Sequence, residues 1–259
     1  MNIREVLERF KNGDVDAAEA ERMLKLDFLE HIGNHTVFDH AREARRGIPE
    51  IILGNTKGPE YVADIIRRVL EDTELVIVSR ASPRHCEAIK KSIGPRGVRW
   101  VEKACMVVVD RRAKIRKTGH IGILTAGTSD ISVAEEARVV AEAMGCEVMT
   151  AYDVGIAAFH RFMDPLASML EKGCDALIVV AGMEGALPSI ISSLADVPVI
   201  GVPTPVGYGM GSEGVAALMS MLQTCSPGLV VVNIDNGVGA GATAALISGR
   251  CRAGEKGGL

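Results

Sequence analysis

His120-Ile121-Gly122-Ile123-Leu124-Thr125-Ala126-Gly127-Thr128-Ser129-Asp130 is the stretch whose reading decides the fold. Ile121–Ala126 has the form of a buried strand, a short apolar run bounded by turn residues. It stops in a turn made of a glycine, two hydroxyls and a carboxylate. A helix follows at once: Ser132 and Glu135 have capping-box spacing, and Val133, Ala137, Val140 and Met144 keep helical periodicity. A glycine there lets the backbone approach a ligand, and the free N–H groups that open a helix attract an anion. The geometry suits a phosphate. Ser, Thr and Asp also cap helices without binding anything. Both uses of Gly127, Thr128, Ser129 and Asp130 therefore stay open; on the binding reading Ser129 holds the phosphate and Asp130 a hydroxyl or a reacting group.

Outward from this stretch the pattern is regular. Strand-like runs recur at Ile121–Ala126, Glu147–Ala151, Ala176–Ala181, Val197–Val202 and Leu229–Ile234. Helical stretches separate them at Ser132–Met144, Asp164–Glu171, Pro188–Ala195 and Ser212–Gln223. Continuous Val/Ile/Leu strands alternating with helices imply an α/β fold, a doubly wound parallel sheet covered on both faces. Ligands of such sheets sit beyond the carboxyl ends of the strands. Gly127–Asp130, Gly182–Pro188 and Pro203–Gly211 all fall at that edge.

The preceding residues differ. Ile3, Val6, Leu7 and Phe10 mark one amphipathic helix, and Ala17–Leu24 suits another. Strand candidates Glu50–Leu53, Leu75–Ser79 and Cys105–Asp110, with a helix at Glu60–Leu70, make a smaller α/β module. The basic stretch Arg111–Lys117 joins it to the main sheet. The expected division is 1–117, 118–250 and a flexible tail at 251–259, frayed from Ala253 onward.

Composition narrows the class. At 259 residues the chain has ample core, and its 28 glycines with only 3% aromatics fit tightly packed α/β layers. A net charge of −4 gives no general case for nucleic acid or an anionic membrane as partner. The N-terminus is charged and amphipathic rather than a signal peptide, no run approaches membrane-spanning length, and the cysteines form no CxxC pair. A cytoplasmic protein with reduced thiols is the reading. Glu30-His31 to His35 is not HExxH, so a structural zinc site is not expected, and metal ligands cannot be assigned from the chain.

Three further groups are candidates for chemistry. In Ala181-Gly182-Met183-Glu184-Gly185-Ala186-Leu187-Pro188 a carboxylate follows a buried strand among small residues. Such a group is costly unless solvated or paired, so Glu184 is either a base or a salt-bridged rim residue. In Leu222-Gln223-Thr224-Cys225-Ser226-Pro227-Gly228, Cys225 sits where a helix gives way to a Pro-Gly turn. A loop thiol that ionises is a strong nucleophile, whereas most cysteines are inert core residues. Arg42, Arg45 and Arg46, then Lys57, Arg80 and Arg84, either meet phosphates or carboxylates or form a solvated basic face.

These residues carry a resemblance. Ile121 to Leu246 is similar to the class I aminoimidazole ribonucleotide mutase/carboxylase fold. That family has a Gly-Ser-x-Ser-Asp phosphate loop, an Ala-Gly-Gly-Ala-Ala-His-Leu-Pro segment and a Gly-Val-Pro strand end. The counterparts are Gly127-Thr128-Ser129-Asp130, one residue tighter, then Ala181 to Pro188, and Gly201-Val202-Pro203. The mutase's catalytic histidine falls at Ala186, and a methyl group cannot shuttle a proton. Nearly the whole chain resembles the LarB family, pyridinium-3,5-biscarboxylic acid mononucleotide synthases of nickel-pincer nucleotide biosynthesis. Its marks are Asp39-His40-Ala41-Arg42-Glu43-Ala44-Arg45-Arg46-Gly47-Ile48-Pro49-Glu50, Gly182-Met183-Glu184-Gly185-Ala186-Leu187-Pro188, and the Thr224-Cys225-Ser226-Pro227-Gly228 turn.

The resemblance implies a flavodoxin-like strand order and a homo-octamer. It also implies a carboxylase and phosphoanhydride hydrolase that turns nicotinic acid adenine dinucleotide and carbon dioxide into the biscarboxylated mononucleotide and AMP. Cys225 would be the nucleophile and Glu184 the group for the proton step. Gly127, Thr128, Ser129, Asp130, Gly182, Met183 and Gly185 would bind substrate. Arg42, Arg45, Lys57 and Arg80 would meet the pyrophosphate, with Mg2+ assisting and no organic cofactor. The alternatives are an aminoimidazole ribonucleotide carboxylase/mutase and a non-catalytic nucleotide-binding regulator.

Overall fold

The structure, a computed structural model, describes residues 3–26, 29–32, 36–39, 47–115 and 119–255. The chain divides into two units: 1–99 with 107–111, and 100–106 with 112–259. The division falls at Arg111, a few residues before the expected boundary.

The first unit opens with helices α1 (Ile3–Asn12) and α2 (Ala17–Leu26) and a two-stranded antiparallel ribbon, β1 (Leu29–Ile32) with β2 (Thr36–Asp39). Then come β3 (Glu50–Leu53), α3 (Pro59–Val69), β4 (Leu75–Ser79), α4 (Pro83–Ile93), β5 (Val98–Val101) and β6 (Met106–Asp110). The small sheet has the order β3-β4-β6-β5, with β3 parallel and β6 antiparallel to β4. Every residue of β4 is buried, as its unbroken Leu-Val-Ile-Val run requires. Helix α4 and strand β5 are absent from the sequence reading. Yet Ser82-Pro83 is a ready-made helix start, a capping residue followed by proline in the first turn.

The second unit holds β7 (Gly119–Thr125), α5 (Ile131–Ala143), β8 (Cys146–Ala151), α6 (His160–Glu171), β9 (Ala176–Ala181), α7 (Leu187–Leu194), β10 (Val199–Pro203), α8 (Val215–Leu222), β11 (Leu229–Val231) and α9 (Gly237–Glu255). Its five strands are all parallel, in the order β11-β10-β9-β7-β8. This is the doubly wound, flavodoxin-like order that the alternating pattern and the resemblance imply. One face packs Ile121, Ile123, Ile178 and Val180 under α5 and α9; the other packs Leu124, Leu177 and Val179 under α6 and α7.

Three local expectations are corrected. The helix after the opening turn is not started by a Ser132–Glu135 capping box. A single 3-10 turn, Thr128–Asp130, leads into α5, and Asp130 takes the capping role by accepting from the Gly127 N–H at 2.8 Å. Glu135 is turned away to Arg138 and the Tyr152 hydroxyl. The helix expected from Ser212 begins at Val215, because Ser212 is extended and Glu213 left-handed within a preceding 3-10 segment. The tail expected from residue 251 is helical as far as Glu255, the end of α9.

Helix α9 itself lies under a glycine- and alanine-rich run with no apolar periodicity. Those residues are its packing surface. A Cβ on Gly237 would stand 2.2 Å from the Val133 carbonyl oxygen, and one on Gly241 2.4 Å from that of Ala137. The backbones of α5 and α9 approach so closely that only glycine fits at these two positions.

Candidate active site

The carboxyl edge of the five-stranded sheet gathers loops 126–130, 152–159, 182–186, 204–214 and 232–236. Their hub is Asp130, which is 2% exposed. Its Oδ2 accepts from the Gly127 N–H, and its Oδ1 accepts from the Thr204 hydroxyl at 2.7 Å. The Gly182 N–H is a further donor. One carboxylate thus ties the ends of β7, β9 and β10. Burial raises its pKa above the usual carboxylate value; the Thr204, Gly127 and Gly182 donors oppose the rise and the Asp235 charge adds to it. No cation is among these influences. Asp130 is therefore a buried carboxyl held by neutral donors and facing a second carboxylate.

Around the hub lie the other expected residues. Thr128 and Ser129 are exposed, their hydroxyls open to solvent. A Cβ on Gly127 would meet only Asp130, at an ordinary 3.6 Å, so the fold does not itself demand glycine there. Gly182 and Gly185 are different. A Cβ on Gly182 would lie 2.5 Å from the Val206 carbonyl oxygen, and one on Gly185 2.8 Å from Ala217 Cα. Gly185 also has φ +65°. Packing and backbone conformation alone require glycine at both.

Met183 is left-handed and donates its N–H to Val206 O. This projects Glu184 outward: its carboxylate is exposed, so the anticipated cost of burial does not arise. Met183, Glu184, Gly207, Tyr208, Gly211 and Ala216 line a groove of about 230 Å³.

Cys225 is not in this cluster. A strand-to-helix loop of a parallel sheet lies at the carboxyl edge, and the helix-to-strand loop that follows lies at the amino edge. Thr224–Gly228 joins α8 to the start of β11 and so belongs to the amino edge. There Gly228 O accepts from Val199 N, at the first residue of β10. The sheet is about 16 Å across at β10, taking five residues at roughly 3.3 Å each. Cys225 and the loops of Asp130 and Glu184 therefore lie at opposite edges of the sheet. The thiol is exposed, and the turn is fixed by Ser226 N–H to Thr224 Oγ1 at 3.2 Å and Ser192 Oγ to Ser226 Oγ at 2.8 Å. Cys174, by contrast, is buried; burial and then Asp175 push its thiol up to about 11.

In the first unit Lys57 and Arg80 follow the parallel pair β3 and β4 and stand at that pair's carboxyl edge. His85 organises their loops. Its Nδ1 accepts the Ser82 N–H at 3.1 Å, so Nε2 carries the proton and donates to Lys57 O at 3.0 Å. Arg42 and Arg45 lie outside the described residues. So does the proposed contact of either with a pyrophosphate.

The sequence reading missed Thr204, Asp235, and the Asp153–Arg161 ion pair at 2.8 Å. Each follows the end of a strand, and that position was the available signal. Among the described residues no trio of His, Cys, Asp or Glu side chains is placed to hold a metal ion. No helix among them is long and apolar enough to cross a membrane.

Comparison with known proteins matches residues 120–254 to the AIR carboxylase family model and residues 29–111 to the LarB/PurE-like N-terminal domain. An uncharacterized protein of Methanocaldococcus jannaschii is 42% identical over 95% of this chain and 97% of its own length. The N5-carboxyaminoimidazole ribonucleotide mutase of Thermotoga maritima is 29% identical over 50% of this chain and 75% of its own. A probable mutase of the same name from Methanothermobacter thermautotrophicus is 33% identical over 50% of this chain and 38% of its own.

Proposed function

From the premise that this chain belongs to the AIR carboxylase family and carries a LarB/PurE-like N-terminal domain, we propose that it carboxylates the pyridinium ring of nicotinic acid adenine dinucleotide. It also cleaves the phosphoanhydride, giving pyridinium-3,5-biscarboxylic acid mononucleotide and AMP. The observation that carries this reading is the exposed Cys225 thiol in a protein whose family handles carboxyl transfer, together with a methyl group at Ala186.

The chemistry assigns each residue a task. A pyridinium carbon is too electron-poor to attack carbon dioxide. Addition of the Cys225 thiolate to a ring carbon next to C5 puts the sulfur electron pair into a C–S bond and leaves a neutral dihydropyridine. Its enamine makes C5 nucleophilic, and C5 bonds to carbon dioxide while the ring nitrogen becomes iminium. Glu184 takes the C5 proton, the electron pair returns to the ring, and expulsion of the thiolate restores aromaticity. The net change is redox-neutral: one carbon dioxide in, one proton out. Splitting one prohibitive step into several in this way is covalent catalysis.

Gly127–Asp130 anchors the mononucleotide phosphate through the exposed Thr128 and Ser129 hydroxyls and the N–H groups entering α5. Asp130 aligns the ribose from behind. Gly182, Met183 and Gly185 shape the floor of the groove. Lys57 and Arg80, with Arg42 and Arg45, supply positive charge for the pyrophosphate as water cleaves it. The substrate's own pyrophosphate can bring magnesium with it. A cytoplasmic homo-octamer is the expected working form.

The relatives named as mutases favour one competing reading, aminoimidazole ribonucleotide as substrate. Ala186 opposes it. The test is to incubate the full chain with nicotinic acid adenine dinucleotide, bicarbonate and magnesium, and in parallel with aminoimidazole ribonucleotide, and to weigh the products. Biscarboxylated mononucleotide with AMP is the expected result. An untouched dinucleotide beside a carboxylated imidazole would overturn it.

A further inference from the structure

We propose that Tyr208 sets the specificity of the groove at Glu184: the face of its ring selects a flat, positively charged ring over a neutral ring of the same shape. The inference rests on the function proposed above, which seats a pyridinium ring in that groove.

Tyr208 stands out from the fold at the groove wall. It is 80% exposed, and its backbone is extended, with φ −146° and ψ 171°, within Gly207-Tyr208-Gly209-Met210-Gly211. A tyrosine so placed contributes almost none of its large apolar surface to the core, and that surface is available to a ligand. A Cβ on Gly207 would meet nothing closer than 3.6 Å, so packing does not demand glycine beside the tyrosine as it does at Gly182 and Gly185. Glycine at 207 leaves the approach to the aromatic face open.

Charge decides what kind of ring fits. Loops 182–186 and 204–214 carry only Glu184 and Glu213 as charged residues, and both are negative. Met183, 43% exposed, adds a polarizable thioether, while Gly207, Gly211 and Ala216 add backbone and methyl surface. A carboxylate, a thioether and an aromatic face, with no lysine, arginine or histidine on either loop, favour a cation. At about 230 Å³ the groove is smaller than the roughly 300–1,000 Å³ that encloses a drug-sized molecule, so it takes one ring of a dinucleotide rather than the whole. A pyridinium carries a fixed positive charge spread over a flat ring, which suits the negative face of a tyrosine. Its C3 carboxylate, repelled by Glu184, turns to the open side, so a C3 amide is accepted there as well. The neutral imidazole of aminoimidazole ribonucleotide gains nothing from this contact. Tyr208 thus sorts the two candidate substrates by ring charge.

The test compares two dinucleotides of the same shape that differ in this charge: oxidised nicotinamide adenine dinucleotide, and the analogue in which benzamide replaces nicotinamide. Each is titrated calorimetrically into the full chain carrying Cys225→Ala, so that no thiol adds to the ring. Phosphate and adenine contacts are common to both and cancel in the ratio of dissociation constants. The cationic ring is expected to bind about tenfold tighter, the worth of a cation–π contact partly removed from water. Tyr208→Leu is expected to erase the difference, and Tyr208→Phe to keep it, because the ring and not the hydroxyl makes the contact. Equal affinities for the two dinucleotides, or a preference that survives Tyr208→Leu, overturn the proposal, and so does a failure of both to bind. A preference lost with Tyr208→Leu in a protein whose wild type shows no carboxylation overturns the function and leaves the ring selection standing. Carboxylation by the wild type with equal affinities does the reverse.

Discussion

Two aspartates, Asp175 partly buried and Asp130 buried, stand at opposite edges of the same parallel sheet, and they are held in different ways. At the amino edge Asp175 accepts the His120 N–H at 2.9 Å and the Ser248 hydroxyl at 2.7 Å, and it pairs with Arg252 at 3.3 Å. At the carboxyl edge Asp130 has only neutral donors and faces Asp235. Asp175 is compensated by a cation and locks β7, β9 and α9 together. Asp130 is held in place by neutral donors, with no cation among the groups that shift its pKa. A parallel sheet thus separates stability at one edge from binding at the other. Cys225 is the exception, an exposed thiol on the edge that Asp175 locks.

The largest expected effect breaks the comparison at that exception. Cys225→Ala should abolish carboxylation at unchanged thermal stability, since the thiol is exposed. If anhydride cleavage persists in this variant, the two reactions are separable. Glu184→Gln should lower carboxylation by about 10²-fold, the usual worth of a positioned general base, with binding of the dinucleotide retained. A variant as fast as wild type would leave the substrate's own carboxylate as the base.

Asp175→Ala should destabilise the second unit by about 3 kcal/mol, because it removes three partners at once, one of them charged. Asp130→Ala should cost stability less and substrate binding more; equal effects in chemical denaturation would erase the distinction between the edges. The smallest effect is one of pH. A carboxyl whose pKa is raised by folding stabilises the fold fully below its unfolded value of about 3.8 and loses that contribution as pH rises through its folded value. The stability of wild type relative to Asp130→Asn should therefore improve on going from pH 7 toward pH 4. A decline would mean that the donors, not burial, set its protonation.

The sheet was legible because its strands are continuous apolar runs: Ile121–Thr125, Ala176–Ala181 and Val199–Pro203 can be buried on both faces and little else. Helix α9 was not, because a helix packed backbone to backbone is built from glycine and alanine and shows no apolar stripe. The Gly127 turn was legible from its residues, whereas its partner Thr204 is 74 positions away and nothing local joins the two. Gly182 and Gly185 read as ligand-binding glycines, and packing explains both. The edge occupied by Cys225 is written in the order helix, thiol, strand. Glu135 likewise looked like a cap. It belongs instead to a buried cluster with Arg138 and Tyr152, where those partners outweigh burial and hold its pKa down, while the tyrosine is pushed up to about 12.

The most direct measurement is the mass of the Cys225 peptide from enzyme quenched during turnover of nicotinic acid adenine dinucleotide with bicarbonate. The account predicts a substrate-dependent mass increase on that peptide, absent without dinucleotide and absent from Cys225→Ala. Full carboxylation by Cys225→Ala, with an unmodified thiol in the wild type throughout, would contradict it.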